Sequence, residues 1–328
     1  MTILTPRVVQ WLGTGHNKMS LTSLISNKDV KARFAQDFPM PKFNKDSKLL
    51  APPLTNRYSL MGTAFDYLMR FYLKRLNPKA ITTYWVAEAT PQLVGDDTRL
   101  LVDELLLEAH VTYDQYLKTG DMNDGVLRVC LLLGQLDPIY RAHYIDPNLG
   151  TVDSEDIKDL YNLISIVNAA DFQCRDICML NPTFGMASRL VGGADMDLFL
   201  DDTLIDIKVT KTLDLKRDYL NQLIGYYVLS LLGGIDKAPK KLNIENVGIY
   251  YARHGLLYKV PIQEIIAECD MGKFIDWFKE RANQEFSLGG QDEYDEYNHD
   301  ELADYSTKHN IPIEIARGIK GLPIKKHK

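Results

Sequence analysis

The chain has 328 residues, 45% hydrophobic and 25% charged, with a net charge of −6, a balance that suits a globular protein of one large or two ordinary domains. No apolar run approaches the roughly 18 residues a membrane helix requires, and the opening MTILTPRVVQWLGTG lacks the basic-then-apolar order of a secretory signal. Four scattered cysteines (Cys130, Cys174, Cys178 and Cys269) exclude a disulfide scaffold, so a cytoplasmic location with no membrane partner is expected.

In chain order, Thr5-Pro6 opens a short helix that Gly13 and Gly15 end, and a second helix is predicted over 28–38. Prolines 39, 41, 52 and 53 mark an irregular connection. Residues 58–76 repeat apolar side chains at helical spacing until Asn77-Pro78 stops them. The small residues Gly62, Thr63 and Ala64 near the start of that helix permit close approach of another backbone. Residues 81–88 stay unassigned. Helices follow over 98–118, 126–141 and 153–172, so the first half is mostly α. After Asn181-Pro182 the pattern changes to strands: one over 184–191, a hairpin within 192–211, a helix over 213–232 ended by Gly233-Gly234, a strand pair over 247–260 turning at His254-Gly255, and a helix over 261–281. This divides the chain into an irregular segment 1–55, a helical region 56–180, a core 181–282 and a tail 283–328. The tail is acidic and tyrosine-rich, then basic.

The hairpin, GGADMDLFLDDTLIDIKVTK, carries charge at regular places. Asp195, Asp197 and Phe199 alternate with Met196, Leu198 and Leu200, and Asp206 and Lys208 alternate with Ile205, Ile207 and Val209. Period-two alternation predicts half-buried strands. With Asp201-Asp202 as a two-residue turn, Leu200 pairs with Thr203, Asp197 faces Asp206 and Asp195 faces Lys208; a longer loop shifts this register. The plain alternative is a solvated sheet face with cross-strand salt bridges. Yet two carboxylates converging on a lysine in apolar surroundings suit a hard divalent cation. Such a cation polarises a phosphodiester, and an adjacent ammonium offsets developing negative charge. Gln222 and Tyr226, i and i+4 on the following apolar helix, share a face that packs beside the hairpin. A basic run of Lys208, Lys211, Lys216 and Arg217 follows the acidic strands, and Lys320, Lys325, Lys326 and Lys328 form a second one.

The residues Gly193-Ala194-Asp195-Met196-Asp197-Leu198, Asp206-Ile207-Lys208 and Gln222…Tyr226 together resemble the PD-(D/E)XK nuclease superfamily, nearest its RecB-type and phage-exonuclease-type branches. The resemblance covers residues 184–260 and, more weakly, 58–75. It implies an α/β (α+β) restriction-endonuclease-like core, a central mixed sheet flanked by helices. It also implies a Mg²⁺-dependent deoxyribonuclease, with Mn²⁺ as a substitute. Asp206 and Lys208 match the acidic residue and lysine of the signature. The preceding aspartate is Asp197 or Asp195; Asp197 is followed by an apolar run as in the motif, whereas Asp195 fits the spacing from Gly192. Asp197, Asp206, the carbonyl of Ile207 and Asp195 would then bind metal, and Gln222 would position water or phosphate. An upstream glutamate of the family corresponds to Glu104 or Glu108. Where Asp66 stands, RecB-type relatives carry histidine. The cysteine cluster of iron–sulfur relatives is lacking, so no such cluster is expected. DNA is the expected partner, with a protein partner or a second copy also open. The rival reading is a nuclease fold that binds nucleic acid or assembles with a partner without cutting.

Overall fold

A computed structural model describes residues 20–82 and 85–289. The expected first helix near Thr5-Pro6, most of the acidic stretch and the basic tail lie outside these residues. The described chain is an α+β fold. Six strands form one mixed sheet in the order β1 to β6: β1 Ile81–Thr82, β2 Cys178–Leu180, β3 Leu198–Leu200, β4 Thr203–Lys208, β5 Asn246–Tyr251 and β6 Leu256–Pro261. β1 runs parallel to β2 and β4 parallel to β5, and the other neighbours are antiparallel.

Helices cover both faces. One face meets α3 (Tyr58–Leu76), α4 (Asp96–Thr119), α5 (Asp124–Ala142) and α6 (Ser154–Ser165), around Leu68, Leu131, Leu198, Ile205 and Tyr250. The other meets α1 (Leu21–Ser26), α2 (Lys28–Asp37), α8 (Arg217–Gly233) and α10 (Met271–Gly289), around Phe34, Phe199, Leu204, Ile224 and Phe274. Two shorter helices, α7 (Met186–Leu190) and α9 (Ile262–Ile266), complete the set among the described residues.

The helix ends follow local chemistry. The Ser20 hydroxyl accepts from the Ser23 amide at 3.2 Å and caps α1. Asn123 and Asp153 cap α5 and α6 in the same way. Gly120, at φ 73°, closes α4 in the left-handed conformation that glycine adopts without strain. The close approach expected of the small residues on α3 occurs at Ala64. A Cβ on Gly134 of α5 would lie 3.2 Å from its amide nitrogen. A buried ion pair ties the sheet to the helical half: Arg253, just after β5, binds Asp159 of α6 at 2.8 Å, with both side chains at most 1% exposed.

Four expectations change. The helix expected over 153–172 stops at Ser165, and a separate 3-10 turn follows at Ala169–Asp171. Residues 184–191 are not a strand; Met186–Leu190 is a short helix, and the strand is Cys178–Leu180. The Ser188 hydroxyl accepts from the Phe184 amide and donates to the Ala194 carbonyl, both at 2.8 Å, which folds this segment back on itself. The helix expected over 261–281 is two helices, because the Asp270 side chain accepts from the Lys273 amide at 3.2 Å and starts α10 afresh. Finally, the hairpin strands are buried on both faces, since Phe199 and Leu204 enter the α8-side core while Leu198 and Ile205 enter the other. The alternation that predicts half-burial depends on charges that sit only at one end of the strands, so the rest is apolar on both faces. Among the described residues, no helix is long and apolar enough to cross a membrane.

Candidate active site

The hairpin turns at Asp201-Asp202, where Asp201 takes φ 54°, and Leu200 pairs with Thr203, Phe199 with Leu204 and Leu198 with Ile205. A two-residue turn with positive φ matches the twist of its strands. The carboxylate of Asp201 locks it further by accepting from the amides of Asp176 (2.8 Å) and Ile177 (3.1 Å). One step beyond the last pair, Asp197 stands across from Asp206. Its Oδ2 accepts from the Ile207 amide at 2.6 Å, which bends the end of β3 onto β4.

At this end of the sheet Asp206, 2% exposed, carries the Lys208 ammonium 2.6 Å from its Oδ2. Lys208 Nζ also donates to Gln222 Oε1 at 2.9 Å, and Gln222 Nε2 donates to the Tyr226 hydroxyl at 2.8 Å. Lys208 is therefore held from two elements, β4 and α8. Burial disfavours its charge, but Asp206 and Asp197 outweigh burial and raise its pKa, so it stays an ammonium ion. Both amide ends of Gln222 are committed, so it acts on the site through Lys208.

Asp195 does not face Lys208. The β3–β4 ladder has ended by then, and Asp195 bridges instead to Thr183. Its carboxylate binds Arg141 of α5 at 2.9 Å. Burial would raise its pKa, but Arg141 prevails and lowers it. Of the two candidate aspartates, only Asp197 is thus placed against Asp206. Glu108, on α4, pairs with Arg128 at 3.1 Å with its side chain 40% exposed, and Glu104 is exposed. Neither makes a contact with the hairpin carboxylates.

The helical half brings Asp66 to the site together with Arg70, Tyr67, Asp137 and Arg141, which carry no motif in the sequence. Asp66 and Arg70 form an i, i+4 pair on α3 at 2.5 Å, and Asp137 and Arg141 form another on α5 at 2.5 Å. The Tyr67 hydroxyl joins them, donating to Asp137 at 3.2 Å. Charged i, i+4 pairs on otherwise apolar helices were the available signal. Burial, then Asp206, then Asp66 raise the pKa of Asp197 well above the usual carboxylate range. Burial also raises those of Asp206 and Asp66.

The charges do not balance. Five carboxylates (Asp66, Asp137, Asp195, Asp197 and Asp206) meet three cations (Arg70, Arg141 and Lys208), so two negative charges are uncompensated when all are ionised. Asp66 Oδ1 is buried with no hydrogen-bond partner among the described residues. Burying charge without compensation is unfavourable. Among the described residues, no group of three or more His, Cys, Asp or Glu side chains is gathered closely enough to hold a metal ion. A smaller donor set still suits Mg²⁺, which keeps several waters and takes one or two carboxylates. Asp197 and Asp206 are two such carboxylates, and the single ammonium of Lys208 meets their charge only in part. Comparison of the chain with protein-family models, curated proteins and solved structures gave no match.

Proposed function

We propose that the protein is a metal-dependent deoxyribonuclease built on a restriction-endonuclease-like core, with Asp197, Asp206 and the Ile207 carbonyl holding Mg²⁺ or Mn²⁺. The observation that carries this reading is the charge imbalance at the end of the hairpin. The Asp197–Asp206 pair meets the single ammonium of Lys208, and the wider cluster of five carboxylates and three cations leaves two negative charges for a divalent cation to meet when all are ionised. Bound there, the cation supplies Lewis acidity toward a phosphodiester.

The chain's own residues do the rest. Lys208 presents an ammonium beside the carboxylates, where it offsets charge that builds on the phosphate and orients an attacking water. Gln222, anchored on the Tyr226 hydroxyl, keeps that ammonium from swinging away. Arg141 holds Asp195 and Asp137, and so fixes the start of β3 against α5. Asp66 adds a carboxylate from the α3 side. Exposure falls from Lys208 (20%) to Asp206 (2%), so the lysine lies nearer solvent and the carboxylate deeper.

The test is a panel of linear, nicked and circular DNA incubated with purified protein and Mg²⁺ or Mn²⁺. Metal-dependent cleavage that disappears in Lys208→Ala, with the fold retained by circular dichroism, is the expected outcome. A folded wild-type protein that cuts none of these with either metal would sink the proposal and leave a binding or assembly role for the fold.

A further inference from the structure

We propose that the rim of this site is a binding surface for single-stranded DNA, with Tyr58 and Tyr219 as stacking platforms and Lys211 and Lys216 as phosphate partners. The inference rests on the deoxyribonuclease reading and names the form of DNA the site takes. Two aromatic–lysine pairs border the carboxylates from opposite layers. On the α3 side, Lys211 Nζ lies 5.5 Å from the centre of the Tyr58 ring, and Tyr58 is 51% exposed. On the α8 side, Lys216 Nζ lies 5.5 Å and Lys208 Nζ 5.0 Å from the Tyr219 ring. Lys208 is thus shared between Tyr219 and the catalytic Asp206.

The rim is held in place. His254, 5% exposed, sets its two ring nitrogens 3.1 Å from the carbonyls of Lys211 and Lys48. The Tyr251 hydroxyl donates to the Asp214 carbonyl at 2.8 Å. Both anchors belong to β5 or the turn after it, and both grip the loop between β4 and α8 that carries Lys211 and Lys216. The track proposed for the strand, from Tyr58 to the carboxylates, follows α3. Tyr58, Gly62 and Asp66 follow one another at i, i+4 and i+8 along α3, about 12 Å of helix. A side chain begun at Gly62 would meet nothing within 4 Å. An exposed ring such as Tyr58, a half-buried one such as Tyr219 and the lysines beside them suit a strand whose bases are free to stack, whereas a duplex keeps its bases paired.

The probe is fluorescence anisotropy with a fluorescein-labelled oligothymidylate and a blunt duplex of equal length, in EDTA so that nothing is cut. The single strand should bind more tightly. Tyr58→Ala and Tyr219→Leu should each weaken it by about fivefold or more, and Lys211→Ala should lower the salt slope of log affinity by about one. Gly62→Gln, which narrows the track without entering the core, should weaken it as well. Thermal unfolding of each variant confirms the fold; Tyr58, being exposed, keeps the test sound if Tyr219→Leu unfolds. Equal or tighter binding of the duplex, or wild-type affinity in Tyr58→Ala, would overturn the proposal. Tyrosine-dependent binding without cleavage under any metal removes the nuclease reading and leaves this surface standing. Lys208-dependent cleavage with tyrosine variants binding as wild type does the reverse.

Discussion

Replacing Asp197 by asparagine should stabilise the metal-free protein and abolish its response to Mg²⁺. Asparagine keeps an oxygen for the Ile207 amide, which donates to Asp197 at 2.6 Å, and removes only the charge. Directly opposed residues on adjacent strands place their Cβ atoms about 5 Å apart. Two charges at that separation repel by roughly 3 kcal/mol at an effective dielectric of about 20. Lys208, 2.6 Å from Asp206, offsets part of this repulsion. A net gain of about 1–2 kcal/mol remains, which is a rise of about 1.5–3 °C in melting temperature at an unfolding entropy of about 2.1 cal/mol/K per residue.

The pH dependence follows from the same charge. Burial and its neighbours raise the Asp197 pKa in the folded chain, so folding favours the protonated carboxyl. That contribution is complete below the ordinary carboxylate range and is lost as pH rises through the raised folded value. The metal-free wild type should therefore lose stability as pH is raised from the ordinary carboxylate range towards about pH 8, and Asp197→Asn should lose less, with the remainder from Asp206 and Asp66. Mg²⁺ at a hundred times its dissociation constant should stabilise the wild type by about 2.7 kcal/mol at the upper pH, and the variant hardly at all. Scanning calorimetry of both proteins in EDTA and in Mg²⁺ measures every term. A variant that is less stable than wild type in EDTA at pH 8, or that gains as much from Mg²⁺, would refute the charge-imbalance argument.

Other outcomes can be checked separately. Lys208→Ala should lower the cleavage rate by a factor on the order of 10²–10³, as loss of one preorganised donor does elsewhere. Gln222→Ala should lower it less and chiefly through kcat, because Gln222 acts by holding Lys208 at 2.9 Å. Asp159→Ala leaves Arg253, 1% exposed, without its partner; urea unfolding should show a loss of about 3–5 kcal/mol. Gly233→Ala at the end of α8 would put a Cβ 2.2 Å from the Phe184 carbonyl. That forces α7 and α8 apart, and the same measurement should show a loss of about 1–3 kcal/mol.

The charged cluster draws on both helical layers, with Asp66, Arg70 and Arg141 from one and Gln222 from the other. Arg141 links Asp137 of its own helix to Asp195 at the approach to β3, while Asp66 faces Asp197 from α3. Removing the helical layer would therefore expose one side of the core and also free the start of the hairpin.

Much of this was written in local pattern. The helix Tyr58–Leu76 appears with its predicted bounds because its apolar stripe is long and Asn77-Pro78 stops it. The pairing of Leu200 with Thr203 follows from a two-residue turn that the Asp201-Asp202 pair can adopt. Residues 184–191 were misread because eight residues of mixed polarity carry no decisive period, and the bonds of Ser188 to Phe184 and Ala194 settled their shape. A two-residue turn already points to Asp197 as the partner of Asp206, while the spacing from Gly192 keeps Asp195 open, since the two aspartates share a parity. Arg141, 54 residues before Asp195, made the choice by drawing Asp195 away. The sequence by itself determined the long helices and the hairpin turn, because periodicity and turn residues act over a few neighbours. Only the tertiary structure decided which charges meet, because electrostatic partners lie in separate helices and strands and become neighbours when the two layers close on the sheet.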